Sequence, residues 1–342
     1  MGDETLERLK ARHAAFWAMA EVDAPLLSVG RYQPLASRPP IPLADGTTAT
    51  EGMRLTPDSI DPRRLVGIHA EPSTPFAGDF IHGVALYDLC WMEATTGCPL
   101  YWRAGQVWSE PGGWSAWDDL ERLRVAPDNA WLARLLTLTR LLVERAQGHY
   151  PIVQPLLRGP IDIATAVLGD GPACLLMKDD PDRFRRLLEV CTDNFITVAQ
   201  AWMAAAEVCH GGCCAYGIWA SGTVLRTQAD NAALLSPQDY HDFLKPFDER
   251  ICAAFDYPFI HTHSGVLHIM ADALLAEEPL RAVQVVLDYP AGPPLVDLLP
   301  LFRRLNKHKP LIITGGLTAE ELELLRGTLS PRGLCLSVSL HD

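Results

Sequence analysis

The chain opens on an amphipathic pattern. Between residues 4 and 20, Leu6, Leu9, His13, Phe16 and Trp17 fall near one face of a helix, with charged residues between them. The apolar run at 26–31 reads as a short buried strand, and Pro34, Pro39, Pro40 and Pro42 then mark a loop. From about residue 98, short apolar runs alternate with longer helical patterns. The pattern predicts strands at 26–31, 99–104, 152–157, 213–219, 259–264, 282–288, 311–315 and 333–339. Three helix starts are explicit. Asp180-Pro181 is an N-cap followed by proline, opening a helix to about Cys209, and Ser236-Pro237 opens another to about Phe255. Thr318-Ala-Glu-Glu321 is a capping box.

Eight strands alternating with helices predict an α/β fold of the (β/α)8 barrel type, one domain over residues 1–342 with an N-terminal helix in 1–23. An open doubly wound sheet is the alternative, but no GxGxxG or GxxxxGK[ST] loop follows any predicted strand. The last predicted strand runs almost to Asp342, so the final barrel helix is expected to be absent.

Composition narrows the partners. The net charge is −13 and no Lys/Arg run exceeds a pair, which excludes nucleic acid and anionic membrane surfaces as expected partners. Hydrophobic residues make up 48%, enough for a large core, while no window approaches a membrane span. The nine cysteines are odd in number and irregularly spaced, and the start is charged rather than apolar. Reduced thiols and a cytoplasmic location are the expectation.

The sharpest chemical motif is Phe259-Ile-His261-Thr-His263-Ser-Gly265. Residues two apart on a strand share a face, so both imidazoles would point to one side. At the C-terminal end of a barrel strand that spacing suits two zinc ligands; a polar pocket of hydrogen-bonded histidines is the bland alternative. A third ligand has to come from elsewhere. His341 lies nearer the C-terminal end of the last strand and is preferred to Cys335, which sits deeper. Cys209-His210-Gly-Gly-Cys213-Cys214 lacks a matching pair at ribbon spacing, so no structural zinc is expected there. Arg31, Tyr32, Trp108, Glu110, Gln154, Arg158, Trp219, Gln228, Asp230, Gln284 and Asp288 lie at predicted strand ends or in the loops beyond them, where barrel active sites gather. They describe a mixed substrate pocket with two arginines for carboxylates and with Trp91, Trp108 and Trp219 as candidate apolar walls.

Several segments resemble the uroporphyrinogen decarboxylase superfamily, which includes zinc-dependent cobalamin methyltransferases. Gly30-Arg31-Tyr32-Gln33-Pro34 is similar to the decarboxylases' GRYxP segment. Asp88, Glu93-Ala94 and Gly97-Cys98-Pro99 resemble the family's aspartate–EA–G stretch, with a one-residue gap. Leu235-Ser236-Pro237 before the helix with Lys245-Pro246 is similar to the family's SP helix. His261-x-His263-Ser-Gly265 stands where the methyltransferases carry HxCG, and 332–341 resembles the last strand. Leu27 replaces the propionate-binding arginine of the decarboxylases, His263 replaces a cysteine ligand, and His341 falls one residue past the terminal ligand position.

The resemblance therefore implies a zinc-dependent methyltransferase or demethylase acting to or from a thiol or corrinoid, with a corrinoid protein as the expected partner. In that reading Gln228, Asp230 and Gln284 orient substrate or ligands. The alternative it implies is a metal-free decarboxylase of a tetrapyrrole or another polycarboxylate, with Arg31 binding a carboxylate and Asp88 stabilising a protonated intermediate. A non-catalytic ligand-binding barrel is the third reading.

Overall fold

Five of the apolar runs and one further strand, Val224–Gln228, pair into one parallel sheet in the computed structural model, which describes residues 2–31, 39–72, 74, 76–112 and 120–341. The strands are β1 (Leu26–Arg31), β2 (Val224–Gln228), β3 (Tyr257–His263), β4 (Ala282–Leu287), β5 (Leu311–Leu317) and β6 (Leu334–Leu340). Their order across the sheet is β1–β6–β5–β4–β3–β2, every neighbour parallel. Parallel neighbours need a crossover. The helices Leu267–Ala276, Leu295–His308 and Ala319–Thr328 supply three of them. The capping box at Thr318 is formed, its side chain accepting from the Glu321 N–H. Ser236 and Asp239 form a second box that opens the β2–β3 connection, where the helix passes through a π turn at Tyr240–Leu244.

This sheet belongs to one of two units that interleave along the chain, residues 1–35, 74–82 and 211–342. Its two faces differ in chemistry. On one face Ile260, Val283, Val285, Ile313 and Leu336 are buried and apolar. Thr262 shares that parity, and its hydroxyl reaches Met270 Sδ at 3.1 Å in the crossover helix Leu267–Ala276. The opposite face is graded. Its lower positions, Leu26, Val224, Phe259, Ala282, Ile312 and Cys335, form an apolar cluster with Phe16 of the N-terminal helix. Fully burying a side chain such as Phe259 stabilises by ~1.5–3 kcal/mol. Its upper positions are polar: Arg226, Gln228, His261, His263 and Gln284.

Three predicted strands are not members of this sheet: 152–157, whose Ile152–Val153 pairs with Val84–Ala85 in the other unit, and two that form hairpins. Residues 213–219 fold into an antiparallel hairpin, Cys213–Ala215 with Ile218–Ala220, which packs on the lower apolar layer. Tyr216 (φ 52°) and Gly217 (φ 83°) form its turn. Two successive positive φ values suit a tight two-residue hairpin turn, which reverses the chain instead of extending it. Residues 99–104 do the same with Ala104 (φ 48°) and Gly105 (φ 76°), giving Leu100–Arg103 against Gln106–Ser109.

That second hairpin belongs to the other unit, residues 36–73 and 83–210. This unit is mainly helical, built on Ala130–Ala146, Pro160–Leu168, Asp170–Asp179 and Pro181–Ala206. It also holds a short parallel pair, Val84–Ala85 with Ile152–Val153. The Asp180 side chain caps the long helix as expected. No single helix among the described residues is long and apolar enough to cross a membrane; one helix pair passes by composition but bends by 107°.

Candidate functional site

Parity on β3 places His261 and His263 on the polar part of the graded face, as the HxH spacing requires. Just beyond β2, Asp230 joins them. Among the described residues these three form the group of metal-capable side chains whose ligand atoms all lie within 4.8 Å of one another. His261 is 9% exposed, whereas the His263 and Asp230 side chains are 41% and 39% exposed, so the group is reachable from solvent on one side.

The hydrogen bonds fix the chemistry of each imidazole. His261 Nδ1 lies 3.0 Å from Gln284 Oε1 and His263 Nδ1 lies 2.5 Å from Asp288 Oδ1. Both oxygens accept, so each Nδ1 carries a proton. Burial, then the nearby Arg226 charge, holds His261 down to about 2, so it is neutral throughout the physiological range. Asp288 is held by His263, the Ser264 hydroxyl at 2.9 Å and the Gly265 N–H at 3.1 Å. Burial pushes its carboxyl up, but these hydrogen bonds outweigh it and leave Asp288 below the usual carboxylate range. Asp230 accepts from Gln228 Nε2 at 2.6 Å, and its other oxygen lies 3.6 Å from His263 Nε2. Behind the two glutamines lies Arg226, which donates to Gln284 Oε1 and to Gln228 Oε1, each at 2.9 Å.

Two neutral imidazole nitrogens and a carboxylate are ordinary zinc donors, and three protein ligands leave a fourth position for substrate. Zinc–ligand bonds of ~2.0–2.2 Å in a tetrahedron put neighbouring ligand atoms ~3.4 Å apart. The 3.6 Å separation of Asp230 and His263 matches that spacing. In kind the three donors are ones that zinc takes, and all three lie within 4.8 Å of one another.

The third member of the group is Asp230; the expected third ligands, His341 and Cys335, are not members of it. His341 follows β6, donates its N–H to Leu317 O, and stacks its ring on Tyr289 at 3.7 Å between centroids. Cys335 is fully buried in the apolar lower layer, where burial pushes its thiol well above the ordinary range. Gln228 and Gln284 are brought to the histidines as expected. Trp219 is not: it lies in the lower hairpin, its carbonyl accepting from Trp17 Nε1 and its N–H donating to His13. Arg31 is exposed at the C-terminal end of β1, opposite Leu340. Tyr32 lies outside the described residues.

Asp88 and Gln154 belong to the second unit. Asp88 accepts from the Cys90 N–H at 2.9 Å and pairs with Arg158 at 3.5 Å, and Arg158 also meets the buried Glu93 at 2.9 Å. Gln154 is 2% exposed. Sequence reasoning missed Arg226, although its spacing of two residues from Gln228 already put both on one strand face.

Comparison with known proteins agrees with this architecture. The sequence model of the family described as uroporphyrinogen decarboxylase (URO-D) matches residues 84–278. A solved methyltransferase from Methanosarcina mazei superposes with a TM-score of 0.54 at 16% identity, covering 97% of this chain and 93% of that one. At that identity the likeness is one of fold. No curated protein matches the sequence. With more than half its length matched, the chain belongs to the uroporphyrinogen decarboxylase (URO-D) family.

Proposed function

We propose that this chain is a metal-dependent methyltransferase of the URO-D family, with Asp230, His261 and His263 holding a zinc ion. The observation that carries the proposal is the gathering of those three ligand atoms within 4.8 Å, with the Nδ1 of each imidazole engaged by an acceptor oxygen. Zinc held there supplies the Lewis acidity that keeps a thiol acceptor ionised at neutral pH. The protein does the rest by position. Asp288 and Gln284 fix the two imidazole tautomers, and Gln228 orients the Asp230 carboxylate. The solvent-facing side of His263 and Asp230 leaves room for the acceptor. The methyl donor in this reading is a corrinoid carried on a partner protein. The Methanosarcina mazei protein that shares this fold is itself a methyltransferase.

The same proposal includes the family's eight-stranded barrel as a single domain. The family match and the fold likeness support that part of the reading. It also includes a cytoplasmic location and small-molecule substrates rather than nucleic acid or membrane.

The metal-free decarboxylase is the weaker reading. A polycarboxylate approaching the histidines would meet Asp230 and Asp288, and Arg226 is turned to the glutamines. The test is to load the full-length protein with zinc, supply methylcobalamin and a small thiol, and follow the methyl thioether by mass spectrometry. Thioether formation that is lost in His263→Ala supports the proposal. No zinc uptake and no methyl transfer, accompanied by CO2 release from a polycarboxylate, would replace it with the metal-free decarboxylase; neither reaction would leave a ligand-binding barrel.

A further inference from the structure

We propose that Arg226 is the positioning residue of this site: its guanidinium decides which way the Gln228 and Gln284 amides face, and through them sets the Asp230 carboxylate and the His261 tautomer. The inference rests on reading Asp230, His261 and His263 as the metal-holding group.

An amide side chain presents an acceptor at one corner and donors at the other, and the two orientations occupy the same space. Nothing in its shape decides between them; the partners do. A guanidinium has five N–H donors and no acceptor. Arg226 Nε points at Gln284 and Nη1 at Gln228, each at 2.9 Å. Either glutamine, turned over, would set its NH2 against a buried N–H, leaving two donors face to face without an acceptor. Both amides therefore turn their oxygens to Arg226.

Two consequences follow at the ligands. With its oxygen on Arg226, Gln228 has its NH2 toward Asp230, and it donates to Oδ2 at 2.6 Å. The carboxylate is thereby held by one oxygen. With its oxygen shared between Arg226 Nε and His261 Nδ1, Gln284 obliges the imidazole to carry its proton on Nδ1. A neutral imidazole in water favours the opposite tautomer, with Nε2 protonated and unable to bind a metal. The chain of contacts from Arg226 thus selects the form of His261 that presents a lone pair to the group.

Arg226 is itself held for this role. It is 6% exposed, its guanidinium carbon lies 4.6 Å over the Tyr216 ring, and Nη1 donates to the Tyr216 hydroxyl at 3.1 Å. Tyr216 is the turn residue of the lower hairpin, so that hairpin supports the site from below. Lysine cannot replace the arrangement in full, because the flat guanidinium serves two acceptors with separate N–H groups at a fixed angle.

The experiment uses the full-length, metal-free protein with 15N-labelled histidine and reads the His261 ring nitrogens by NMR. Zinc affinity is measured in parallel by competition with a chromophoric chelator. In the wild type we expect His261 protonated at Nδ1. In Arg226→Met we expect a mixture of tautomers and zinc binding weakened about 10- to 100-fold, with Arg226→Lys in between. A folded Arg226→Met with wild-type ring shifts and wild-type zinc affinity overturns the proposal. If the Arg226 variants fail to fold, Gln284→Leu removes the acceptor with Arg226 left in place; an unchanged His261 tautomer there overturns it equally. A tautomer that depends on Arg226 in a protein that does not take up zinc supports the positioning role and refutes the metal reading, so the two claims fail separately.

Discussion

His13 should make this protein acid-labile, and by an amount that its surroundings define. The residue lies on the N-terminal helix and is fully buried. Its Nε2 donates to Asp79 O at 2.6 Å, and its Nδ1 accepts the Trp219 N–H at 2.9 Å. Both ring nitrogens are thus committed in the neutral form, and a proton on Nδ1 would collide with the Trp219 N–H. Burial lowers its pKa from 6.5 to about 4; the hydrogen bond to the Asp79 carbonyl and the Asp79 charge pull the other way but are weaker. The sign follows from linkage. Below pH 6.5 the unfolded chain takes up a proton at this residue that the folded protein refuses until about pH 4, so stability falls as pH falls through that window. At ~1.4 kcal/mol per pH unit, the loss attributable to His13 between pH 7.5 and 5.0 is ~2 kcal/mol.

The perturbation is His13→Gln, which keeps a donor and an acceptor but does not titrate. Its stability at pH 7.5 is not the readout, since the amide fits the cavity differently. The readout is the change in urea unfolding free energy between pH 7.5 and 5.0, compared with the same change in the wild type. His261, with its pKa lowered to about 2, and the other titrating groups contribute to both proteins and cancel. The variant should lose ~2 kcal/mol less than the wild type. Equal losses would show that His13 is not held neutral by this environment.

Other substitutions separate packing from chemistry. Cys335→Ser places a hydroxyl in the apolar layer of Leu26, Phe259 and Ile312 and should cost ~1–3 kcal/mol in urea unfolding while leaving zinc content unchanged. At Gly212 an added Cβ would run into Ala220 O and the Trp219 ring, so Gly212→Ala should lower the melting temperature by several degrees, corresponding to ~1–3 kcal/mol. Thr318→Ala removes the cap of the Ala319–Thr328 helix and should cost ~0.5–2 kcal/mol, seen as faster amide exchange in the first turn of that helix.

The sheet was legible where its strands are mostly apolar. β4, β5 and β6 are rich in Val, Ile and Leu with few polar breaks, such as Gln284 in β4 and Ser337 in β6, and those runs announce them. β2 escaped because its inward positions are Arg226 and Gln228, and polar residues on a strand's inner face erase the run that marks it. The same residues that hid the strand build the site. The two hairpins escaped for a different reason: each has an X-Gly turn, Ala104-Gly105 or Tyr216-Gly217, whose positive φ values reverse the chain. The histidine pair was readable from parity alone. Its third partner was not, because Asp230 reaches the histidines through the register of β2 with β3, where Gln228 pairs with His261, and that register is a property of the folded sheet.

The claim that matters most is that Asp230, His261 and His263 hold one metal ion. Purified full-length protein and the variants Asp230→Ala, His261→Ala, His263→Ala, His341→Ala and Cys335→Ala should be loaded with zinc, desalted, and assayed for metal content, with circular dichroism confirming the fold of each. One zinc per chain in the wild type, retained in His341→Ala and Cys335→Ala and lost in the other three, is the result this account predicts. Retention in a folded Asp230→Ala with loss in His341→Ala or Cys335→Ala would contradict it, and so would a folded wild type that holds no zinc.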